Sequence, residues 1–250
     1  MSILKAKNIY KTFAKVKVLN NISFEVKNKE FLAIIGPLGC GKTTLIKILG
    51  GLIKTNRGQV YLNNTLLTKP SVNISHVFQK SNLIPWRTVL KNISLTLEIQ
   101  KLTKDKINKR SQKLLKLTCL EKFKDSYPAF LSGGMEQLTA IARSFISNAQ
   151  ILLLDEPFAP LDIITREKMN LELLKLWQIE KKTVILVTHS IEEAVFLADR
   201  VLVLSSRPGS IKKIININFS RPRSLDIKKM SKFTLLVNKA KKCLNNGMFA

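Results

Sequence analysis

A run of five apolar residues, Phe31-Leu32-Ala33-Ile34-Ile35, leads into Gly36-Pro37-Leu38-Gly39-Cys40-Gly41-Lys42-Thr43-Thr44, after which Leu45, Ile46, Ile48 and Leu49 continue at helical spacing. Few stretches constrain a fold so tightly. An apolar block of that length suits a strand buried on both faces, and the glycine stretch matches the pattern G-x-x-x-x-G-K-[ST], so strand, loop and helix follow in that order. Gly36, Gly39 and Gly41 let the backbone curl with its N–H groups inward, and the helix start adds the positive end of its dipole; together these hold a polyphosphate. Lys42 supplies a full charge to the β and γ phosphates, Thr43 a hydroxyl for Mg²⁺, and Thr44 a donor to another phosphate oxygen. A plain glycine-rich turn is the structural alternative, and the complete pattern with its flanks argues against it. Cys40 needs no redox role, since a small side chain fits there.

Upstream, residues 3–30 show a short, alternating pattern. Ile22, Phe24 and Val26 face one way and Ser23 and Glu25 the other, as in a half-buried antiparallel strand. Phe13 falls between two such strands, and core packing and a binding role are both open for it. Downstream, Gly50-Gly51 ends the helix, and residues 59–67 read as a hairpin turning at Asn63-Asn64, which closes an N-terminal β layer. A strand over 72–78 leads to Gln79, at the strand end where a polar side chain can reach a bound ion. The loop Ser81-Asn82-Leu83-Ile84-Pro85-Trp86 then carries two anchors, Pro85 and Trp86, that either dock a partner or pack into their own domain.

Residues 88–127 are rich in Leu, Lys and Ile at helical spacing, which predicts a helical subdomain. Leu131-Ser132-Gly133-Gly134-Met135-Glu136-Gln137 opens a further helix with Ser132 as N-cap and Met135, Leu138, Ala142, Phe145 and Ile146 on one face. Ser132, Gly133 and Gly134 at a helix start form an anion site, although a simple capped helix has the same appearance. Ile151-Leu152-Leu153-Leu154 suits a central parallel strand and ends in Asp155-Glu156, two carboxylates at the sheet edge where such folds bind ligands. Asp155 is expected to hold Mg²⁺ and Glu156 to accept a proton from the attacking water. Pro157 stops the strand, Ala159-Pro160-Leu161-Asp162 leads to a helix with Met169, Leu173, Leu176 and Trp177 on one side, and residues 183–188 are the next parallel strand. His189 stands at its carboxyl end, level with Asp155, where it can donate to a γ phosphate, and Ser190 to Glu193 read as a capping box. After a strand at 201–204 and a turn at Arg207-Pro208-Gly209 comes a basic tail.

Composition enters through charge. The chain of 250 residues is 45% hydrophobic, enough for a sizeable core, and has no apolar run near the ~18 residues that a membrane helix needs. No signal core precedes the first strand, so a cytosolic chain is expected. Cys40, Cys119 and Cys243 lack metal-ligand spacing and cannot all pair, as in a reducing compartment. Forty-two Lys and Arg against seventeen Asp and Glu leave a net charge of +25, concentrated at 101–124 and 207–250. Nucleic acid, an anionic membrane surface and a generally Lys-rich proteome each account for such a balance. The dispersal of the cations among Leu, Ile and Asn favours the last, and no nucleic-acid partner is expected.

Taken in this order over nearly the whole chain, these motifs resemble the ATP-binding subunits of ABC transporters. The resemblance implies an α/β fold, a P-loop NTPase core of the RecA type with an N-terminal antiparallel β layer and an inserted α-helical subdomain at about 82–147. Residues 1–220 would form the nucleotide-binding domain and 221–250 a basic C-terminal tail. Phe13 matches the aromatic that stacks on adenine, residues 36–44 Walker A, Gln79 the Q-loop with a place at the metal and in catalysis, and 131–137 the signature. Residues 152–156 match Walker B, 159–162 the D-loop and His189 the switch histidine. In that family two such subunits pack head to tail around ATP and Mg²⁺, so Ser132, Gly133 and Gly134 would serve the nucleotide of a second copy, a homodimer being expected. Integral-membrane permease subunits follow the motion, with a solute-binding protein as an indirect partner, which puts the chain at the cytoplasmic face of the membrane as a peripheral subunit.

The wording of Pro85-Trp86-Arg87-Thr88-Val89-Leu90 and Ser206-Arg207-Pro208-Gly209 is similar to import ATPases for nitrate, sulfonate and taurine, and thiamine-precursor importers read alike. There are departures. Leu38 replaces the usual Ser of the phosphate loop, Glu136 and Leu138 stand where that group has Arg, Ala159-Pro160 replaces Gly-Ala, and Ser190 replaces Asp after the histidine. The phosphate and metal contacts are kept, so an active ATPase is expected, with Glu136 facing the partner's ATP and opposing closure of the dimer. The rival reading is a soluble ABC ATPase acting on nucleic acid or ribosomes, to which +25 lends weight; one copy of each motif and the Pro85-Trp86 loop favour transport.

Overall fold

Alternation near the N-terminus becomes a β layer in the computed structural model, which describes residues 2–245. Strands β1 (Ser2–Phe13) and β2 (Val16–Lys27) pair antiparallel, so Phe13 ends a strand instead of occupying a loop. The apolar block is β3 (Phe31–Ile35), and the helix after the glycine loop is α1 (Lys42–Leu49). The hairpin at Asn63-Asn64 joins β4 (Arg57–Leu62) to β5 (Thr65–Leu66), both asparagines having the positive φ that its two-residue turn demands. These strands form a four-stranded sheet in the order β2-β1-β4-β5.

The second sheet holds the motifs. β6 (Ile74–Val77) is shorter than the expected 72–78, because Val72 is exposed in a turn. With β7 (Ile151–Asp155), β8 (Thr183–Val187), β9 (Arg200–Leu204) and β10 (Ile211–Asn216) it builds the order β10-β9-β3-β8-β7-β6, parallel except for β10. β10 has no clear pattern in sequence, since Lys212 and Lys213 interrupt it; as an edge strand it buries only Ile215. The all-apolar strands have a simple cause. Phe31, Ala33 and Ile35 enter one core with Leu152, Leu154, Val184 and Leu186, while Leu32 and Ile34 enter another with α1 and the β layer. Each face of the sheet is covered, so both parities must be apolar.

Between β6 and β7 lie α2 (Val89–Ile99), α3 (Lys104–Leu117) and α4 (Gly133–Ile146); α5 (Ile163–Glu180) and α6 (Ile191–Leu197) follow β7 and β8. The segment read as a basic tail is structured as far as it is described. Residues 225–229 form a 3₁₀ turn and α7 (Ser231–Asn245) buries Phe233, Leu236, Val237 and Ala240 in the first core. Its lysines occupy the outer face, so charge concealed the helical spacing beneath. Arg221 bonds Asp199 at 2.8 Å, and the buried Arg223 donates to the carbonyls of Phe196 and Ala198, which joins 221–223 to the end of α6. Residues 246–250 of that tail lie outside the described residues.

Candidate functional site

The phosphate loop curls because two of its glycines adopt left-handed backbone, Gly39 at φ 74° and Gly41 at φ 103°. A side chain on Gly41 would in addition meet Leu19 Cδ2 at 2.8 Å and Val18 Cγ1 at 2.9 Å, so β2 backs the loop and only glycine fits. Cys40 is buried beneath the loop and burial raises its thiol pKa, which suits a packing role. Gly41 caps α1 without any side-chain acceptor, and the first-turn N–H groups therefore remain for an anion. Lys42, only 6% exposed, turns its ammonium onto the carbonyls of Gly36 at 2.9 Å and Pro37 at 3.1 Å, with no carboxylate paired to it among the described residues. A buried cation held by neutral dipoles fits a polyphosphate ligand. Leu38 is 98% exposed, so its departure from Ser removes no contact within the chain.

Parallel pairing of β7 with β8 brings the second half of the site to the same sheet edge. Thr43 Oγ donates to Asp155 Oδ1 at 3.1 Å, joining the helix start to the end of β7. Burial raises the pKa of Asp155, and the neighbouring Glu156 adds to this, while the bond from Thr43 and the charges of Lys47 and Lys42 oppose it. Glu156 has φ 47°, unusual for a residue with a side chain; its N–H donates to Val187 O at 2.9 Å and so fixes the turn off the strand. Its Oε2 lies 3.3 Å from His189 Nδ1 at the end of β8. Among the described residues no three His, Cys, Asp or Glu converge as a metal cage. One carboxylate and one hydroxyl side by side fit Mg²⁺, which completes its shell with water and substrate oxygens.

Other sequence-read residues are arranged around this centre. Phe13 is 44% exposed at the tip of the hairpin whose other strand backs the loop, with Lys11 Nζ 4.7 Å from its ring centre. Gln79 is exposed just past β6, and its carbonyl accepts from Gln137 Nε2 at 2.6 Å. Ser132 caps α4 by accepting from the Met135 N–H at 3.3 Å, and a side chain on Gly134 would sit 3.1 Å from Thr165 Cγ2 at the start of α5. No hydrogen bond recorded among the described residues connects Ser132, Gly133 or Gly134 with the Lys42 loop. Pro85 and Trp86 are exposed, Trp86 at 77%, which removes the alternative of a Trp packed into its own domain. Fully buried Asn92 holds them out by bonding Ile84 N and the carbonyls of Ile84, Arg87 and Thr88.

Glu136 Oε2 accepts from Ser81 Oγ of the same chain at 2.9 Å, because Ser81 lies beside the first turn of α4. One expectation is corrected. The capping box at α6 is half formed: Ser190 Oγ accepts from Glu193 N–H, but Ser190 N–H donates to Thr188 Oγ and the Glu193 carboxyl is buried, which raises its pKa. The sequence reading also omitted Arg166, whose guanidinium donates to the carbonyls of Phe158, Ala159 and Leu161 and so shapes the D-loop. Only its position four residues after the Asp162 cap hinted that it turns back on that loop.

The family model described as ABC transporter matches residues 19–159. The chain belongs to the ABC transporter ATP-binding family. Over 88% of its length it is 49% identical to an uncharacterized ABC transporter ATP-binding protein of Methanocaldococcus jannaschii, of which it covers 84%. It is 41% identical to the aliphatic sulfonates import ATP-binding protein SsuB of Bacillus anthracis, over 88% of this chain and 86% of that one. Among solved structures, a dimeric ATP-binding cassette bound to ADP and Pi in a post-hydrolysis state superposes with a TM-score of 0.76 at 33% identity, covering 87% of this chain and all of the other. The cbiO1 subunit of the cbiONQ transporter complex of Clostridium perfringens gives 0.80 at 26% identity over 95% of both chains. The fold is that of the ABC ATPases, and the protein is an ABC-type ATP hydrolase that binds ATP. Among the described residues no helix is long and apolar enough to cross a membrane.

Proposed function

We propose that this ABC ATPase is the energy-coupling subunit of an importer for a small organic anion of the sulfonate class, acting as a pair of copies on a membrane permease fed by a solute-binding protein. The observation that carries the reading is the junction of Lys42, Thr43, Asp155, Glu156 and His189 at one sheet edge, in a chain 41% identical to an SsuB import ATPase. ATP lies with its adenine on Phe13 and its phosphates on residues 36–44. Lys42 leaves the Gly36 and Pro37 carbonyls to meet the β and γ phosphates. Thr43 and Asp155, with Gln79 nearby, would hold Mg²⁺, which would supply charge neutralisation to the phosphates. Glu156 accepts the proton of the attacking water as that oxygen bonds to the γ phosphorus and the bond to ADP breaks. His189, in contact with Glu156, orients it and donates to the γ phosphate. Ser132, Gly133 and Gly134 of one copy cover the γ phosphate of the other, so hydrolysis opens the pair. Pro85 and Trp86 carry the motion to the permease at the cytoplasmic face of the membrane.

Uptake of a labelled alkanesulfonate by cells in which this chain is the sole ATPase for its permease tests the proposal. Lys42→Ala should abolish uptake. Sulfonate uptake unaffected by that substitution would assign the ATPase to another solute.

A further inference from the structure

Four side-chain contacts from α4 converge on three residues of one loop, Gln79, Ser81 and Asn82. Gln137 Nε2 donates to the Gln79 carbonyl at 2.6 Å, Glu136 Oε2 accepts from Ser81 Oγ at 2.9 Å, and Arg143 donates to the carbonyls of Ser81 and Asn82, each at 3.0 Å. Asn92 extends the grip, since its Oδ1 accepts from Ile84 N–H at 2.8 Å and lies 3.5 Å from Arg143. The loop so held carries Gln79 at one end and Pro85-Trp86 at the other, and α4 is capped by Ser132. Within this grip, Glu136–Ser81 is the contact that sequence departure creates, because an Arg at 136 has no acceptor to offer a hydroxyl.

We propose that Glu136 is a positioning residue: by accepting from Ser81 it latches the Gln79 loop to the signature helix, so that the loop's placement at the ATP site follows that helix. The carboxylate is half-buried, which makes a hydrogen bond to it stronger than one in open water. It is also the only one of the gripping groups in α4 that bonds a loop side chain; the others bond carbonyls that any sequence presents. The latch therefore singles out Ser81. With the latch open, the loop is free to leave the geometry that Gln79 needs during hydrolysis, while the phosphate loop that binds ATP is untouched. This rests on the placement of Gln79 at the ATP site in the proposed function.

The test is a double-mutant cycle on the full chain, Ser81→Ala, Glu136→Ala and both, read by kcat and KM for MgATP and by amide hydrogen exchange of peptides covering 79–87. A hydrogen bond of ordinary net strength is worth roughly 3- to 10-fold. Each single variant should lower kcat by about that factor with KM unchanged, and the double variant should be no slower than either single. Exchange over 79–84 should speed up roughly several-fold in all three. Glu136→Gln keeps an acceptor and should restore most of kcat, whereas Glu136→Arg should behave as Glu136→Ala. Additive losses, unchanged exchange, or a Glu136→Gln variant as slow as Glu136→Ala would each overturn the latch. Faster exchange with unchanged kcat would overturn the positioning role. Loss of hydrolysis in a Gln79→Ala control establishes the reading on which the proposal rests; a control as active as the parent overturns that reading, while the exchange data still judge the latch.

Discussion

Glu156 combines a left-handed backbone with a side chain in contact with His189, and it follows directly on Asp155, which Thr43 bonds at the same sheet edge. Glu156→Gln keeps the shape and the hydrogen bond while removing the base. It should bind ATP as the parent does and turn it over ~10² to 10⁴ times more slowly, measured by nucleotide titration and phosphate release. Unaltered turnover would remove Glu156 from the role. Asp155 makes a separate, pH-dependent statement. Burial raises its pKa in the folded chain, so its protonated form favours folding at low pH, and that contribution is lost as pH rises through the raised value. At pH 7 without a divalent cation the ionised Asp155 is thus a destabilising group. Asp155→Asn should raise the melting temperature of the ligand-free chain at pH 7, with the gain shrinking as pH falls toward ~4. The same variant should lose the further stabilisation that Mg²⁺ with ATP confers on the parent. A lower melting temperature at pH 7 would mean that the bond from Thr43 outweighs the burial of charge.

At the scale of elements, the loop before α2 and the last helix behave oppositely. Asn92 holds Pro85 and Trp86 outward at the head of α2, at no cost to the core. Trp86→Ala should leave ATP turnover of the isolated chain and its melting temperature unchanged, yet weaken co-purification with the permease, because an exposed Trp is a frequent interface anchor. Lost ATP turnover in this variant would contradict a docking role. α7, by contrast, is built into the first core through Phe233, only 4% exposed and packed at 6.2 Å from Phe219. Phe233→Ala should cost about 3–5 kcal/mol in denaturant unfolding, the amount typical of an aromatic removed from a core. A loss below ~1 kcal/mol would return residues 231–245 to the status of a loosely held tail.

For the whole molecule, most of the charge of +25 lies away from the phosphate loop, in the blocks 101–124 and 207–250. α3, the lysines on the outer face of α7 and the edge strand β10 carry much of it. Retention on duplex DNA or RNA at physiological ionic strength, falling steeply with added salt, would favour the nucleic-acid reading; the expected outcome is weak binding that vanishes near that ionic strength. The central sheet, the phosphate loop and the carboxylate pair were legible without coordinates for one reason. Each is specified by local chemistry: five buried residues in a row, glycines where φ must be positive, and charge placed where a buried strand ends. By itself the sequence thus determined the α/β class, the ATP loop and the family, since those motifs carry their own physical necessity over a few residues. The direction of Glu136, the burial of Glu193, the return of Arg166 onto the D-loop, the exposure of Trp86 and the docking of α7 were decided only by tertiary structure. Each depends on which distant segment lies opposite, Ser81 beside residue 136 or Phe219 beside residue 233, and a polar or amphipathic side chain takes whichever partner the assembled fold presents.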